Sequence, residues 1–198
     1  MFLKTLGLVT LSVTLTACNI TGSAQKGPFK SGSSVSASQL NNQAIPIAST
    51  TINTQVSDSQ GSFSVDRIKW SGWTELVATG QYFDEFSNAD SAVALTLKTI
   101  TKKDRRYDTA NINIFTHLAA ARIRQLVAGG QNRNNAWRNT QVEIAQQFGL
   151  SKINRNFSRG VEQLDLLKGS GNFRKDNANL LLFTGAFLAY GGNSESLQ

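Results

Sequence analysis

Three rhythms of hydrophobic and polar residues succeed one another along this chain. Leu6 to Leu15 is an apolar run. From about Lys26 to Ile100 apolar residues recur at every second position in short stretches, and from about Asn113 they recur at helical spacing. In the middle part, Ser34 to Leu40 alternates with Val35, Ala37 and Gln39 on one side. Thr51 to Val56 sets Ile52 and Thr54 against Asn53 and Gln55, and Ser62 to Val65 puts Phe63 and Val65 on one face. Glu75 to Ala78 holds Leu76 and Val77, and Ala92 to Leu97 gives Val93, Leu95 and Leu97. Polar turns separate these runs. The best of them, Asp58-Ser59-Gln60-Gly61, links two strands and places Gly61 where a positive φ is expected. Short strands with no helical pattern between them predict an antiparallel β-sandwich over residues 26–110.

The helical part, 111–198, predicts a small helical domain, so the fold class is α+β. Thr116 is the expected N-cap of the first helix, through its hydroxyl. Leu118, Ala121, Ile123, Leu126 and Val127 follow, and Gly129-Gly130 stop it. A second helix is expected over Asn135–Phe148, ended by Gly149. The stretch Ser151 to Asn172 is mixed, with one helical turn around Val161 to Leu167. A third helix opens near Asp176 or Asn177 and runs to Ala189-Tyr190, apolar nearly all round. A helix of that kind is buried in a core or in a partner, and it is too short to span a bilayer. Little sequence follows to cover it. The expected cover is the other two helices, chain beyond Gln198, or a second protein that would meet Leu181 and Phe183.

The apolar run at the start changes the picture from fold to address. Lys4 precedes it, and Leu15-Thr16-Ala17-Cys18 follows it. A basic start, an apolar core of about a dozen residues and small residues before a cut site make a secretory signal over 1–17. The four residues ending at Cys18 resemble the bacterial lipobox. That resemblance implies cleavage before Cys18 and a thioether on its sulfur, with the thiolate as nucleophile. Several acyl chains make a stable anchor where one holds only marginally. The next residue is Asn19 rather than the Asp that commonly retains such proteins at the inner membrane, which points to the outer membrane. Residues 18–25, small and polar, read as a tether. Cys18 is the only cysteine, so once it is lipidated no disulfide can form and packing alone must hold the fold.

The chain is basic, with 20 Lys and Arg against 13 Asp and Glu. Removing Lys4 with the signal leaves 19 against 13, a net charge of +6. The excess gathers at Lys98, Lys102, Lys103, Arg105 and Arg106, and again at Arg122, Arg124, Arg133 and Arg138. Such clusters attract phosphate-rich and acidic polymers. Lys102, Lys103, Arg105 and Arg106 are therefore candidate contacts for an anionic envelope glycan. Nucleic acid does not suit an exported chain. Tyr107 and Trp137 are the aromatic residues interleaved with the basic ones.

No catalytic constellation emerges. His117, the only histidine, has no second histidine or H-E-x-x-H around it, and its place near a helix N-terminus suits capping or packing. Asp84, Glu85, Asn88 and Asp90 could supply oxygens to a cation, but they match no EF-hand spacing. Asp84, Glu85 and His117 remain the candidates for hydrolase chemistry. No phosphate loop or nucleophile elbow is present, and no cofactor is implied. Trp70-Ser71-Gly72-Trp73 could present a sugar-stacking or protein-binding loop, or plug a core.

Four segments together resemble a known group. They are Lys26-Gly27-Pro28-Phe29 with Gly32-Ser33, the Asp58–Gly61 turn with the Phe63 strand, Ala78-Thr79-Gly80-Gln81-Tyr82-Phe83, and Asn111–Ile114 leading into Thr116-His117-Leu118. The chain resembles a family of uncharacterised bacterial surface lipoproteins that begin with a carboxypeptidase-regulatory-like (transthyretin-like) β-sandwich and continue into a helical region. The resemblance covers roughly Lys26 to Tyr190. It implies an architecture and an address without an activity, and a helical part that often continues into a longer chain. The function expected is non-enzymatic: a lipid-anchored outer-membrane protein that binds or assembles with an envelope partner. The alternatives are a hydrolase or hydrolase accessory acting on envelope polymer, and electrostatic attachment to anionic glycan.

Overall fold

The computed structural model describes residues 18–84, 87–150, 160–167 and 174–189. It is mixed α+β. The signal segment 1–17 lies outside the described residues. The strands are β1 (Cys18–Ser23), β2 (Ser34–Gln39), β3 (Ile52–Gln55), β4 (Ser62–Ile68), β5 (Gly72–Gly80), β6 (Phe83–Asp84), β7 (Ala89–Asp90), β8 (Leu95–Lys103) and β9 (Tyr107–Thr109). Three helices follow: α1 (Ile114–Ala128), α2 (Arg133–Phe148) and α3 (Arg174–Ala189). One sheet has the order β4-β1-β9, a second β3-β2-β5-β8, and β6 and β7 pair by themselves. The second sheet is antiparallel throughout, whereas β9 runs parallel to β1.

The longest pair, β5 with β8, shows how the layers arise. Ala78 lies opposite Leu97 and Leu76 opposite Thr99 on one face, while Glu75 lies opposite Ile100 and Trp73 opposite Lys102 on the other. Successive side chains point to opposite faces, so the two sets serve different cores. Leu76, Ala78, Leu95 and Leu97 share a core with Val35 and Ala37 of β2 and with Ile20, Phe63, Val65 and Ile68 of the first sheet. Trp73 and Ile100 pack with Leu40 and Ala44 against Ala120 and Ile123 of α1 and Ala136 and Trp137 of α2. Each fully buried aliphatic side chain contributes about 1.5–3 kcal/mol. Packing crosses residue 110, because Ile112 and Ile114 belong to the core that the sheets share.

The Asp58 turn forms as expected. The Asp58 carboxylate accepts from the backbone of Gln60 (2.9 Å) and Ser62 (3.0 Å), and Gly61 has φ +79°. It carries the chain from β3, at the edge of one sheet, to β4, at the edge of the other.

Residues 18–25 are not a tether. Cys18–Ser23 is the middle strand of its sheet, and Ile20 and Ala24 are fully buried. The small residues here serve close packing. A Cβ on Gly22 would stand 2.1 Å from the Ala110 carbonyl oxygen. The last strand of the second sheet is Leu95–Lys103, later than the Ala92–Leu97 alternation predicts. Val93 is 71% exposed, and Thr99, Thr101 and Lys103 put polar groups on the inward face, which hides the alternation.

The first helix is capped by Asn113 rather than Thr116. Asn113 Oδ1 accepts from the Thr116 amide (2.9 Å) and Thr116 Oγ1 accepts from the Asn113 amide (2.8 Å), a reciprocal capping box. The Asn113 amide nitrogen also donates to the carbonyls of Val161 and Leu164. The second helix starts two residues earlier than expected, because Asn132 accepts from the Asn135 amide. Around Val161 the described turn is short, Val161–Gln163. A third core ties the helical part together. Phe115, Phe148 and Phe183 pack with ring centroids 4.5–5.4 Å apart, beside Leu164 and the fully buried Leu180.

Candidate functional site

A pocket of about 220 Å³ opens where the end of β8 and the turn into β9 meet the start of α2 and the 161–163 turn. Its apolar wall is the tilted pair Trp73 and Trp137, with centroids 6.2 Å apart. Both rings are more than nine-tenths buried. Trp73 is therefore core and pocket wall rather than an exposed stacking loop, and Trp70 donates its indole N–H to Thr74 Oγ1 at 2.9 Å. Lys102, Arg105 and Arg138 supply the cations, and Asp104, Asp108 and Glu162 the carboxylates.

The two basic clusters divide on folding. Lys103 is 2% exposed and pairs with Asp108 at 3.1 Å, so it is no surface contact for a polymer. The strand register turns it inward, opposite Gly72, while Lys102 stays out. Arg122 pairs with Glu143 and Arg124 with Glu75. Arg133 donates to the carbonyls of Leu40 and Asn41. Among the described residues Lys98, Lys102, Arg105 and Arg138 form no ion pair, and the last three of these line the pocket. Arg106 is exposed, and its carbonyl accepts from the Asn19 amide at 3.0 Å.

Two of the three pocket carboxylates are engaged by the protein. Asp108 accepts from Lys103 and from the Arg105 amide (3.0 Å), and Glu162 accepts from the Gly160 amide (2.9 Å). Lys103 offsets the charge of Asp108, so the lining carries three cations against the carboxylates of Asp104 and Glu162. The same hydrogen bonds shape the rim: the buried Lys103 fixes Asp108, and Asp108 fixes the backbone that presents Arg105.

The other residues singled out in the sequence lie apart from the pocket. His117 is buried on α1. Burial and the neighbouring charges of Lys98 and Arg124 lower its pKa to about 4, so it is neutral, and among the described residues its Nδ1 has no hydrogen-bond partner. Asp84 accepts from Ser87 and Asp90 from Lys30, and Glu85 lies outside the described residues. Among the described residues no three metal-ligating side chains cluster. Phe183 is half-buried in the aromatic core of its own chain and so is not a free contact for a partner. The side chain of Leu181 lies outside the described residues, and the next residue, Leu182, is 72% exposed. Cys18 is a free, half-buried cysteine at the start of β1. No described helix is long and apolar enough to cross a membrane.

Arg138 and Trp137 stand out in the sequence, but nothing there joins them to the 102–106 cluster. The joining contact is the Trp73–Trp137 pair, formed only when α2 lies on β5. Asn134, Thr109 and Gln163 carry no sequence signal, being ordinary polar residues brought together by the same packing. No family model, curated protein or solved structure matches this chain.

Proposed function

We propose that this is a lipid-anchored outer-membrane protein of the bacterial envelope with a non-enzymatic binding role, and that its pocket takes an acidic glycan. The observation that carries the reading is the convergence on one pocket of Lys102 from β8, Arg105 from the following turn and Arg138 from α2, none of which forms an ion pair among the described residues. Carboxylate or phosphate groups on a sugar chain meet those cations. Its hydroxyls meet Asn134, Thr109 and Gln163, and its apolar ring face meets the tryptophan wall. Charge-assisted hydrogen bonds to Arg are the strong ones.

The anchor reading rests on the apolar run, the lipobox-like Leu15–Cys18 and a cysteine half-exposed at the first residue of β1. For the architecture, we read the two larger sheets as a β-sandwich of the carboxypeptidase-regulatory-like kind. The core that draws on both supports this. A second reading, assembly with a protein partner through α3, is favoured by the exposed Leu182.

Tryptophan fluorescence tests the glycan reading, since Trp137 and Trp73 line the pocket. Polygalacturonate should shift the emission and dextran should not. The response should fade as salt approaches about 1 M, where the screening length is about 3 Å. Arg138→Gln should weaken it at low salt. Equal responses to both polymers, or none to polygalacturonate, would sink the glycan reading.

A further inference from the structure

The segments on either side of Cys18 are rich in exposed basic residues. Cys18 opens β1 opposite Ile68 at the end of β4, and on its other side Asn19 pairs with Tyr107 at the start of β9. Arg67 and Lys69 flank Ile68, and Arg105 and Arg106 precede Tyr107; all four are exposed. Lys102 is exposed at the same end, because its neighbour Lys103 pairs with Gly72, just beyond the 69–71 link that leaves β4. Asp66 and Asp104 are the exposed acids among these segments. Among the described residues none of Arg67, Lys69, Lys102 and Arg105 forms an ion pair.

Arg67 is presented from an irregular stretch of β4. Between the Cys18–Ile68 and Ile20–Val65 pairs, β4 uses one residue more than β1. In that bulge Arg67 sits at φ +61°, a left-handed conformation that side chains other than glycine seldom adopt.

We propose that this basic edge lies against the anionic headgroups of the membrane that takes up the lipid on Cys18. The proposal rests on the anchor reading above and not on the glycan reading; Lys102 and Arg105 also line the pocket, so headgroups and an acidic glycan would compete for these two cations. Its force comes from the lack of slack. The lipid-bearing residue is itself the first residue of a paired strand, and one residue spans only about 3.3 Å. The ends of β1, β4 and β9 are therefore held at the headgroups, within the screening length of about 8 Å at physiological salt. Each cation held there against anionic lipid is worth roughly a fivefold shift in population. Lipid and charge together fix how the protein stands on the surface, where an anchor on a flexible tether would let it swing.

The test uses the lipidated chain, purified from membranes and reconstituted into vesicles of phosphatidylcholine alone or with added phosphatidylglycerol. Exposed lysines are acetylated with a succinimidyl ester and read by mass spectrometry. Lys69 and Lys102 should react at least about fivefold more slowly on the anionic vesicles, and the difference should vanish near 1 M salt, roughly. Lys30 is the internal control. It precedes β2, whose Ser34 pairs with Thr79 at the far end of β5, and its rate should not change. Arg67→Gln with Arg105→Gln should bring the Lys69 and Lys102 rates on the two vesicles together. Equal rates in the unmodified sequence overturn the proposal. The N-terminal peptide separates the two failures. Lipid on Cys18 with equal rates overturns docking alone, and an unlipidated Cys18 overturns the anchor reading and docking with it.

Discussion

Lys103 and Asp108 close the turn between β8 and β9 with an ion pair 3.1 Å long, in which the lysine is almost wholly removed from water. The same Asp108 accepts from the Arg105 amide, so one buried lysine organises the turn that carries a pocket cation. Breaking a buried pair by removing one partner costs about 3–5 kcal/mol, because the other charge is stranded. Asp108 is less buried than Lys103, so Lys103→Met is expected to cost less than that range, about 2 kcal/mol. Asp108→Asn is expected to cost more, since it strands the ammonium. The double variant should recover part of the loss. Urea unfolding of the four proteins checks this, and additive losses would show the pair to be uncoupled.

Gly22 distinguishes a strand from a tether. In a tether, Gly22→Ala would change stability by a few tenths of a kcal/mol at most. Here the new Cβ would collide with the Ala110 carbonyl at 2.1 Å, and backbone cannot yield as a flexible side chain does. The expected loss is about 2 kcal/mol or more, read as a lowered thermal midpoint.

His117 should make the fold acid-sensitive in a defined window. Its folded pKa is lowered to about 4 from the ordinary 6.5, chiefly by burial and further by Lys98 and Arg124. The unfolded chain therefore binds a proton more readily than the folded one between these values. The contribution is complete above pH 6.5 and is lost as the pH falls toward about 4. Each pH unit separating the two values is worth about 1.4 kcal/mol. Less what solvent at the ring edge screens, the contribution amounts to roughly 2 kcal/mol. Calorimetric melting against pH should show a steeper decline in the native protein than in His117→Gln. Parallel declines would mean that other groups set the acid limb.

These effects show what the sequence could and could not disclose. The strands around Val35, Ile52 and Phe63 were legible because one face is apolar and the other wet. The stops at Gly129 and Gly149 were legible because local chemistry sets them. β1 was not, since Asn19, Thr21 and Ser23 look like linker and only Ile20 betrays the core. The inward face of β8 carries Thr99, Thr101 and Lys103, which are buried although polar and so break the apolar alternation. The capping role went to Asn113 because its amide also reaches Val161 and Leu164, 48 and 51 residues away. The pocket was half legible. Both basic clusters stand out in the sequence, but it does not show that Asp108, Glu143 and Glu75 neutralise Lys103, Arg122 and Arg124, or which of the rest packing brings to the pocket.

On α3, the neighbours Leu182 and Phe183 should respond in opposite ways. Phe183 fills the space between Phe115 and Phe148, and removing such a ring costs about 3–5 kcal/mol when fully buried. Being half-buried, Phe183→Ala is expected to cost about 2 kcal/mol. Leu182 is 72% exposed, so Leu182→Lys should leave the stability of the isolated protein within about 0.5 kcal/mol. Urea unfolding reads both. If Leu182→Lys destabilises as much as Phe183→Ala, Leu182 is covered in the protein in solution and offers a partner nothing. If it is neutral, the same variant becomes the clean probe of assembly. It removes the exposed apolar contact without touching the core, so any envelope complex lost with it was held through this face of α3.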